Sequence, residues 1–154
     1  MGLILAVNLH GAINSSAPVR KALNELKVAR KFTATVVTDD LPTMGMLRLC
    51  KDYIAWTKLG EGLLSQLLEK RGRVSVTKSL DAESLKRFGF KKYDDLAAKM
   101  FKDDLRLSSL AGVLPYFRLA PPRGGFKRSM RRQFTEKGTL GNNPGLEEIV
   151  RRMI

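Results

Sequence analysis

Three extended segments alternate with two helical ones within the first 58 residues, and that order restricts the chain more than any other feature it has. Leu3, Leu5, Val7 and Leu9 alternate with Ile4, Ala6, Asn8 and His10. The result is a strand with one wholly apolar face and a second face that turns polar just before Gly11. Ser15 and Ser16 offer N-cap oxygens, Pro18 suits a first helical turn, and Val19, Ala22, Leu23 and Leu26 recur at helical spacing. Phe32 to Thr38 is rich in β-branched residues and predicts a second strand. Pro42 opens a second helix whose expected buried stripe is Met46, Leu49, Cys50 and Tyr53, and Ile54 to Lys58 is the third strand. Connections this short predict a compact α+β core over residues 1–58, β-α-β-α-β in order. Gly45, inside the second helix, costs about 1 kcal/mol against alanine, which means either close approach of another backbone or a tolerated cost.

Residues 59–154 predict a mostly helical extension. Leu63, Leu64, Leu67 and Leu68 form an amphipathic stripe that ends near Gly72, a candidate left-handed cap. Val74 to Thr77 fits a brief strand, and Asp81 and Asp94 fit the N-caps of two small helices, the second burying Leu96, Ala97, Met100 and Phe101. Tyr116 to Ala120 is an expected strand. From Pro121 to Pro144 neither period is visible, so residues 118–144 are expected to be a long basic loop, followed by a terminal helix that buries Leu146, Ile149, Val150 and Met153. With 44% hydrophobic residues the chain has material for a core and needs no disulfide or structural metal.

Charge narrows the function. Lys and Arg number 28 against 15 Asp and Glu, a formal +13, which makes a polyanion the expected partner. The excess is uneven. Arg118, Arg123, Lys127, Arg128, Arg131, Arg132 and Lys137 are opposed within 118–137 by Glu136 alone. Guanidinium forks grip phosphate bidentately, Gly124 and Gly125 let backbone approach a ligand, and Phe126 and Phe134 are available to stack. A solvated surface loop is the plainer reading of a charge run, but Pro121-Pro122-Arg123-Gly124-Gly125 is an odd decoration for an idle surface. Such an arm suits RNA better than a regular DNA groove, and no recognition-helix or finger pattern points to sequence-specific DNA binding.

Other classes find little support. Cys50 is the single cysteine and His10 the single histidine, which excludes an internal disulfide and multi-Cys or multi-His metal sites and suits a cytoplasmic chain. Cys50 falls on an apolar stripe, where a buried inert thiol is expected. Asp39-Asp40 before Pro42 is turn and helix-cap chemistry. No phosphate-binding or dinucleotide fingerprint occurs, and no apolar run reaches the ~18 residues of a membrane span. Neither catalysis, a cofactor, a small-molecule substrate nor a membrane is expected. The opening Met1 to Val7 stretch lacks the features of a signal peptide.

Several runs together resemble the large-subunit ribosomal protein family L thirty. They are Ala6-Val7-Asn8-Leu9-His10-Gly11, Pro18-Val19-Arg20, Asp39-Asp40-Leu41-Pro42, Gly45-Met46-Leu47 and Asp52-Tyr53-Ile54-Ala55-Trp56. Lys70-Arg71-Gly72-Arg73, the run from Phe117 to Lys127 and Leu140-Gly141-Asn142 resemble its extended archaeal form, counterpart of eukaryotic L seven, and the lysine-rich leading extension of eukaryotic members is not seen. The resemblance spans essentially the whole chain. It implies a structural constituent of the large ribosomal subunit that contacts large-subunit ribosomal RNA, lies near the small 5S RNA and neighbours other large-subunit proteins. It also implies a three-stranded antiparallel sheet, order 3-1-2, with two helices on one face. Asn8 and His10 stand where family members often carry arginine, and Asn143 where a basic residue is common.

The expected RNA contacts are therefore the 118–137 arm (Arg118, Arg123, Gly124, Gly125, Phe126, Lys127, Arg128, Arg131, Arg132, Lys137) and basic helix faces. Those faces carry Arg20, Lys21, Lys27 and Lys31 on the first helix, Arg48 and Lys51 on the second, and Arg71 and Arg73 after the third. The alternative is an accessory RNA-binding factor of ribosome assembly that mature particles do not retain. Deleting Pro121 to Gly138 is expected to leave a folded core with weakened RNA binding.

Overall fold

A computed structural model describes residues 2–103 and 106–154. The first five elements follow the expected order: β1 (Leu3–Asn8), α1 (Ala17–Glu25), β2 (Thr33–Thr38), α2 (Leu41–Leu49) and β3 (Ile54–Lys58). β1 lies between β2 and β3 and is antiparallel to both, with Leu3 opposite Thr38 and Ile4 opposite Lys58. Every residue of β1 is buried, Asn8 included.

That burial has a cause the alternation did not reveal: both faces of the sheet are covered. Ile4, Ala6, Val37, Ile54 and Trp56 pack under α1 and α2 with Leu23, Leu26 and Leu47. Leu3, Leu5, Val7, Ala34, Val36 and Ala55 pack on the opposite face, against α3 (Glu61–Arg71), α5 (Tyr93–Lys102) and α6 (Leu146–Met153). Each fully buried leucine there contributes roughly 1.5–3 kcal/mol. The short α4 (Ala82–Arg87) adds Leu85 to this second core.

The sheet is larger than the expected three-stranded antiparallel one. It has six strands in the order β4-β2-β1-β3-β6-β5, where β4 is Phe117–Arg118, β5 Ser129–Gln133 and β6 Gly138–Asn142. β4 extends the β2 edge antiparallel, whereas β6 runs parallel to β3, Ala55 opposite Gly141, and β5 runs parallel to β6. The physical reason is edge satisfaction: a three-stranded sheet leaves two rows of unpaired N–H and C=O groups, and the extension supplies partners for both. Residues 118–144 are consequently not a loop. They hold β5, β6 and a 3-10 turn at Phe134–Glu136.

Smaller expectations also shift. In α2 the fully buried positions are Thr43, Leu47 and Cys50, at spacings of four and three; of the expected stripe Met46 and Tyr53 are half-buried against the same core, while Leu49, next to Cys50 but off that face, is 50% exposed. Gly72 is extended (φ −60°, ψ 137°), not left-handed; a Cβ there would collide with the Leu68 carbonyl. The 73–79 segment forms a single bridge between Arg73 and Ser79. Asp94 sits in the first turn of α5, after the N-cap residue Lys92.

Candidate nucleic-acid interface

The arm begins at β4, whose pairing with β2 fixes Arg118 at one edge of the sheet, its guanidinium 5.9 Å from the Tyr116 ring centroid. From there the chain is pinned to α6. The Ala120 amide donates to the Met153 carbonyl (3.1 Å) and the Arg123 amide to the Arg152 carbonyl (3.1 Å). Arg152 Nη1 returns bonds to the carbonyls of Arg123 (3.3 Å) and Gly125 (3.1 Å). Gly124 and Gly125 turn the chain at φ +78° and +72°, a region where L side chains are strained. Phe126, expected to stack on a ligand, is half-buried with its ring against Phe32 (6.3 Å, 18°), so its packing is internal.

Beyond Phe126 the arm reaches the opposite edge. Arg131 and Arg132 stand on β5, the outermost strand, where charge also discourages strand-on-strand association. Lys137 takes the left-handed conformation (φ +61°) that closes the turn into β6, and Gly138 follows because a Cβ would overlap the Arg132 backbone. Arg128 lies 5.0 Å above the Phe134 ring. All seven basic side chains of the arm are exposed.

The helix-face residues divide between the two edges. Arg48 and Lys51, near the end of α2, line a cleft with Gln133 and Phe134, and Gln133 Nε2 donates to Asp52 Oδ1 (3.0 Å), so α2 joins the arm at the β5–β6 edge. Lys27 instead lines a groove with Arg118 at the β4 edge, together with Arg30 and Tyr116, which the sequence reading did not single out. Arg20 and Lys21 on α1 border a shallow groove with Lys27, but α1 ends at Glu25, so Lys27 (φ +62°) and Lys31 stand on the connection to β2 and not on the helix face where they were expected. Lys31 Nζ sits 5.0 Å over Phe32. Arg71 is drawn away from any such surface: its Nε and Nη2 donate to the Ile154 carbonyl (3.2 and 2.8 Å), capping α6. Arg73 Nη1 donates to the Val76 carbonyl (2.8 Å). Arg30 was legible only as one more charge, because its place in the groove depends on β4 arriving from 88 residues later.

Of the three positions at which the resemblance led to an expected basic residue, Asn8 and Asn143 have structural roles. Asn8 is fully buried: its Nδ2 donates to the Val28 carbonyl (2.7 Å), and its Oδ1 accepts from the amides of His10 (3.1 Å) and Gly11 (2.6 Å). Asn143 is buried likewise, donating to the Thr139 carbonyl (3.1 Å) and accepting from the Gly145 amide (2.9 Å). His10 is exposed, edge-on to Tyr53 at 5.3 Å. Cys50 is buried and its thiol is pushed up to about 11 by burial, so it is protonated and unreactive at neutral pH. Asp40 is bound by the Thr38 hydroxyl and by Arg106 Nη2 (2.6 Å), which hold its carboxyl below the ordinary range. Among the described residues no group of His, Cys, Asp or Glu is placed to hold a metal ion, and no helix is long and apolar enough to cross a membrane.

An α+β body with both sheet faces filled and cations along both edges has the build of a basic scaffold protein that meets a polyanion. Comparison with known proteins specifies the class. The chain is 36% identical to the large ribosomal subunit protein uL30 of Ignicoccus hospitalis, over 99% of this chain and 98% of that one. It is 36% identical to uL30 of Nitrosopumilus maritimus (98% and 97%) and 35% identical to uL30 of Thermofilum pendens (100% of each). No protein-family model matches. The chain belongs to the uL30 family of large ribosomal subunit proteins, a family of structural proteins and not of enzymes.

Proposed function

We propose that this chain is a structural constituent of the large ribosomal subunit in the cytoplasm, where it neutralises and positions ribosomal RNA phosphates. One observation carries the reading. The seven cations of 118–137 are all exposed, and among the described residues none has an acid within ion-pair distance; the ion pair found is Arg106 with Asp40. Unpaired guanidinium groups held on a fixed scaffold favour phosphate, because little ordering remains to be done on binding. Arg48 and Lys51 extend this surface at the β5–β6 edge, while Arg20, Lys21, Lys27, Lys31 and Arg30 form a second surface with Arg118. Arg73 is a peripheral contact and Arg71 a helix cap. Following the family resemblance, the partners are large-subunit RNA, neighbouring large-subunit proteins and the small 5S RNA.

Affinity for large-subunit RNA, measured from 50 to 200 mM salt, tests the mechanism. If about six phosphates are neutralised, binding weakens roughly 10³-fold, and replacing Arg131, Arg132 and Lys137 together by Gln lowers the log–log slope by about 3. A salt-insensitive association contradicts it. Substitution is the right perturbation and deletion is not. Joining Ala120 to Thr139 would have to bridge from β4 to β6, four strand spacings or roughly 19 Å, so that deletion perturbs both sheet edges together with the charge. Sedimentation through a high-salt gradient separates the two roles: stoichiometric presence in mature large subunits supports a structural constituent, and presence in precursor particles alone supports an assembly factor.

A further inference from the structure

Between the arm and α6 lies a cleft of about 310 Å³ whose walls include Lys127, Arg128, Phe134, Glu148 and Arg152. That volume stands at the small end of the ~300–1,000 Å³ range of ligand pockets, room for one base with its sugar and not for a duplex. Phe134, half-buried beneath the Arg128 guanidinium, gives the cleft a flat ring beside a flat cation, which is a stacking platform for a nucleobase. Arg152 Nη1 is committed to two backbone carbonyls and its Nε is buried without a partner, so a positive charge underlies one wall, one turn along α6 from Glu148 and outside ion-pair distance of it.

Glu148 decides what the cleft is for. It stands exposed in the first turn of α6, with no cation in ion-pair distance among the described residues. The three cations leave the cleft net positive, but a phosphate diester has no hydrogen to offer this carboxylate. The carboxylate accepts hydrogen bonds and donates none, so it seeks a ligand with N–H groups. Guanine offers two adjacent donors, N1–H and the N2 amino group, which match the two carboxylate oxygens, while its O6 and N7 accept from a cation such as Lys127. Adenine, cytosine and uracil present no such donor pair.

We propose that this cleft binds an unstacked guanine of single-stranded RNA, stacked at Phe134 and read by Glu148. The inference rests on the RNA-binding reading above and adds a base-specific contact to it. The test uses the full chain at low salt and fluorescently labelled 11-nucleotide RNAs, a uridine tract with a central guanine, adenine or cytosine, or uridine throughout, followed by anisotropy. The guanine RNA is expected to bind at least 5-fold more tightly than uridine alone. Glu148→Gln should reduce that preference below 2-fold without weakening the all-uridine RNA, and Phe134→Leu should weaken the guanine RNA at least 5-fold while circular dichroism stays unchanged. Equal binding of the four RNAs overturns the guanine cleft and leaves the phosphate-binding reading intact. A guanine preference that survives both substitutions also overturns it, by moving the base elsewhere. Absence of binding to every oligonucleotide and to large-subunit RNA removes both readings.

Discussion

Asn8→Ala is the substitution with the most to say about how this chain uses the end of its central strand. The Asn8 amide sits at 0% exposure and satisfies three backbone groups: the Val28 carbonyl and the amides of His10 and Gly11. The His10 amide keeps a second acceptor in the Tyr53 carbonyl (3.3 Å), but Val28 and Gly11 are buried. Two buried groups therefore lose their partner, at about 1–3 kcal/mol each, for a total of about 2–6 kcal/mol. Domains are stable by only about 5–15 kcal/mol, so the loss is a large share. With a urea slope of about 2 kcal/mol/M, the midpoint should fall by about 1–3 M in equilibrium unfolding followed by circular dichroism. The slope itself should not change. A loss under about 1 kcal/mol would refute the claim that this amide closes the strand. RNA affinity, measured where both proteins are folded, should stay within about 2-fold; a large drop would show that Asn8 meets RNA directly.

Gly45 has open space where a Cβ would stand, so Gly45→Ala should stabilise α2 by about 0.5–1 kcal/mol and raise the melting temperature by roughly 1–4 °C; destabilisation would reveal a close neighbour. Asp40 is depressed below 3.8 by the Thr38 hydroxyl and then by Arg106, so its contribution is complete above that value and is lost as pH falls through the lower folded one. Asp40→Asn should accordingly flatten the acid limb of the stability profile and leave the neutral-to-basic limb unchanged; an unaltered acid limb would mean the contact is idle. Cys50 should react with a thiol reagent at pH 8 at least 100-fold more slowly in the native protein than in urea, and rapid native labelling would contradict its burial.

Elements with a strong local period were legible: β1, α1 and α3 appear where their apolar spacing places them. β6 was not, because Gly-Thr-Leu-Gly-Asn has no alternation and is held by β3, more than 80 residues earlier. β5 was hidden for the opposite reason. Ser-Met-Arg-Arg-Gln reads as a polar segment, and only its position at the rim makes a charged strand sensible. Charge located the arm, but it could not show that Phe126 would be spent on Phe32 or that Arg71 would be claimed by the last carbonyls of α6. The grouping of Arg30 and Tyr116 with Arg118 likewise arises from long-range strand pairing, which no local pattern encodes.

The two-sided burial of β1 sets a clock on the chain's synthesis. Residues 1–58 can close their three strands and two helices as soon as they emerge, but the face carrying Leu3, Leu5, Val7, Ala34, Val36 and Ala55 waits for helices encoded in the remaining 96 residues. At about 5–20 residues per second, that wait lasts roughly 5–20 s. For that interval the nascent protein is an apolar plate with two open edges, the form most prone to stick to a copy of itself. Residues 59–154 thus act as the cover that residues 1–58 lack, and a chain cut short before α3 would leave that face wet for good.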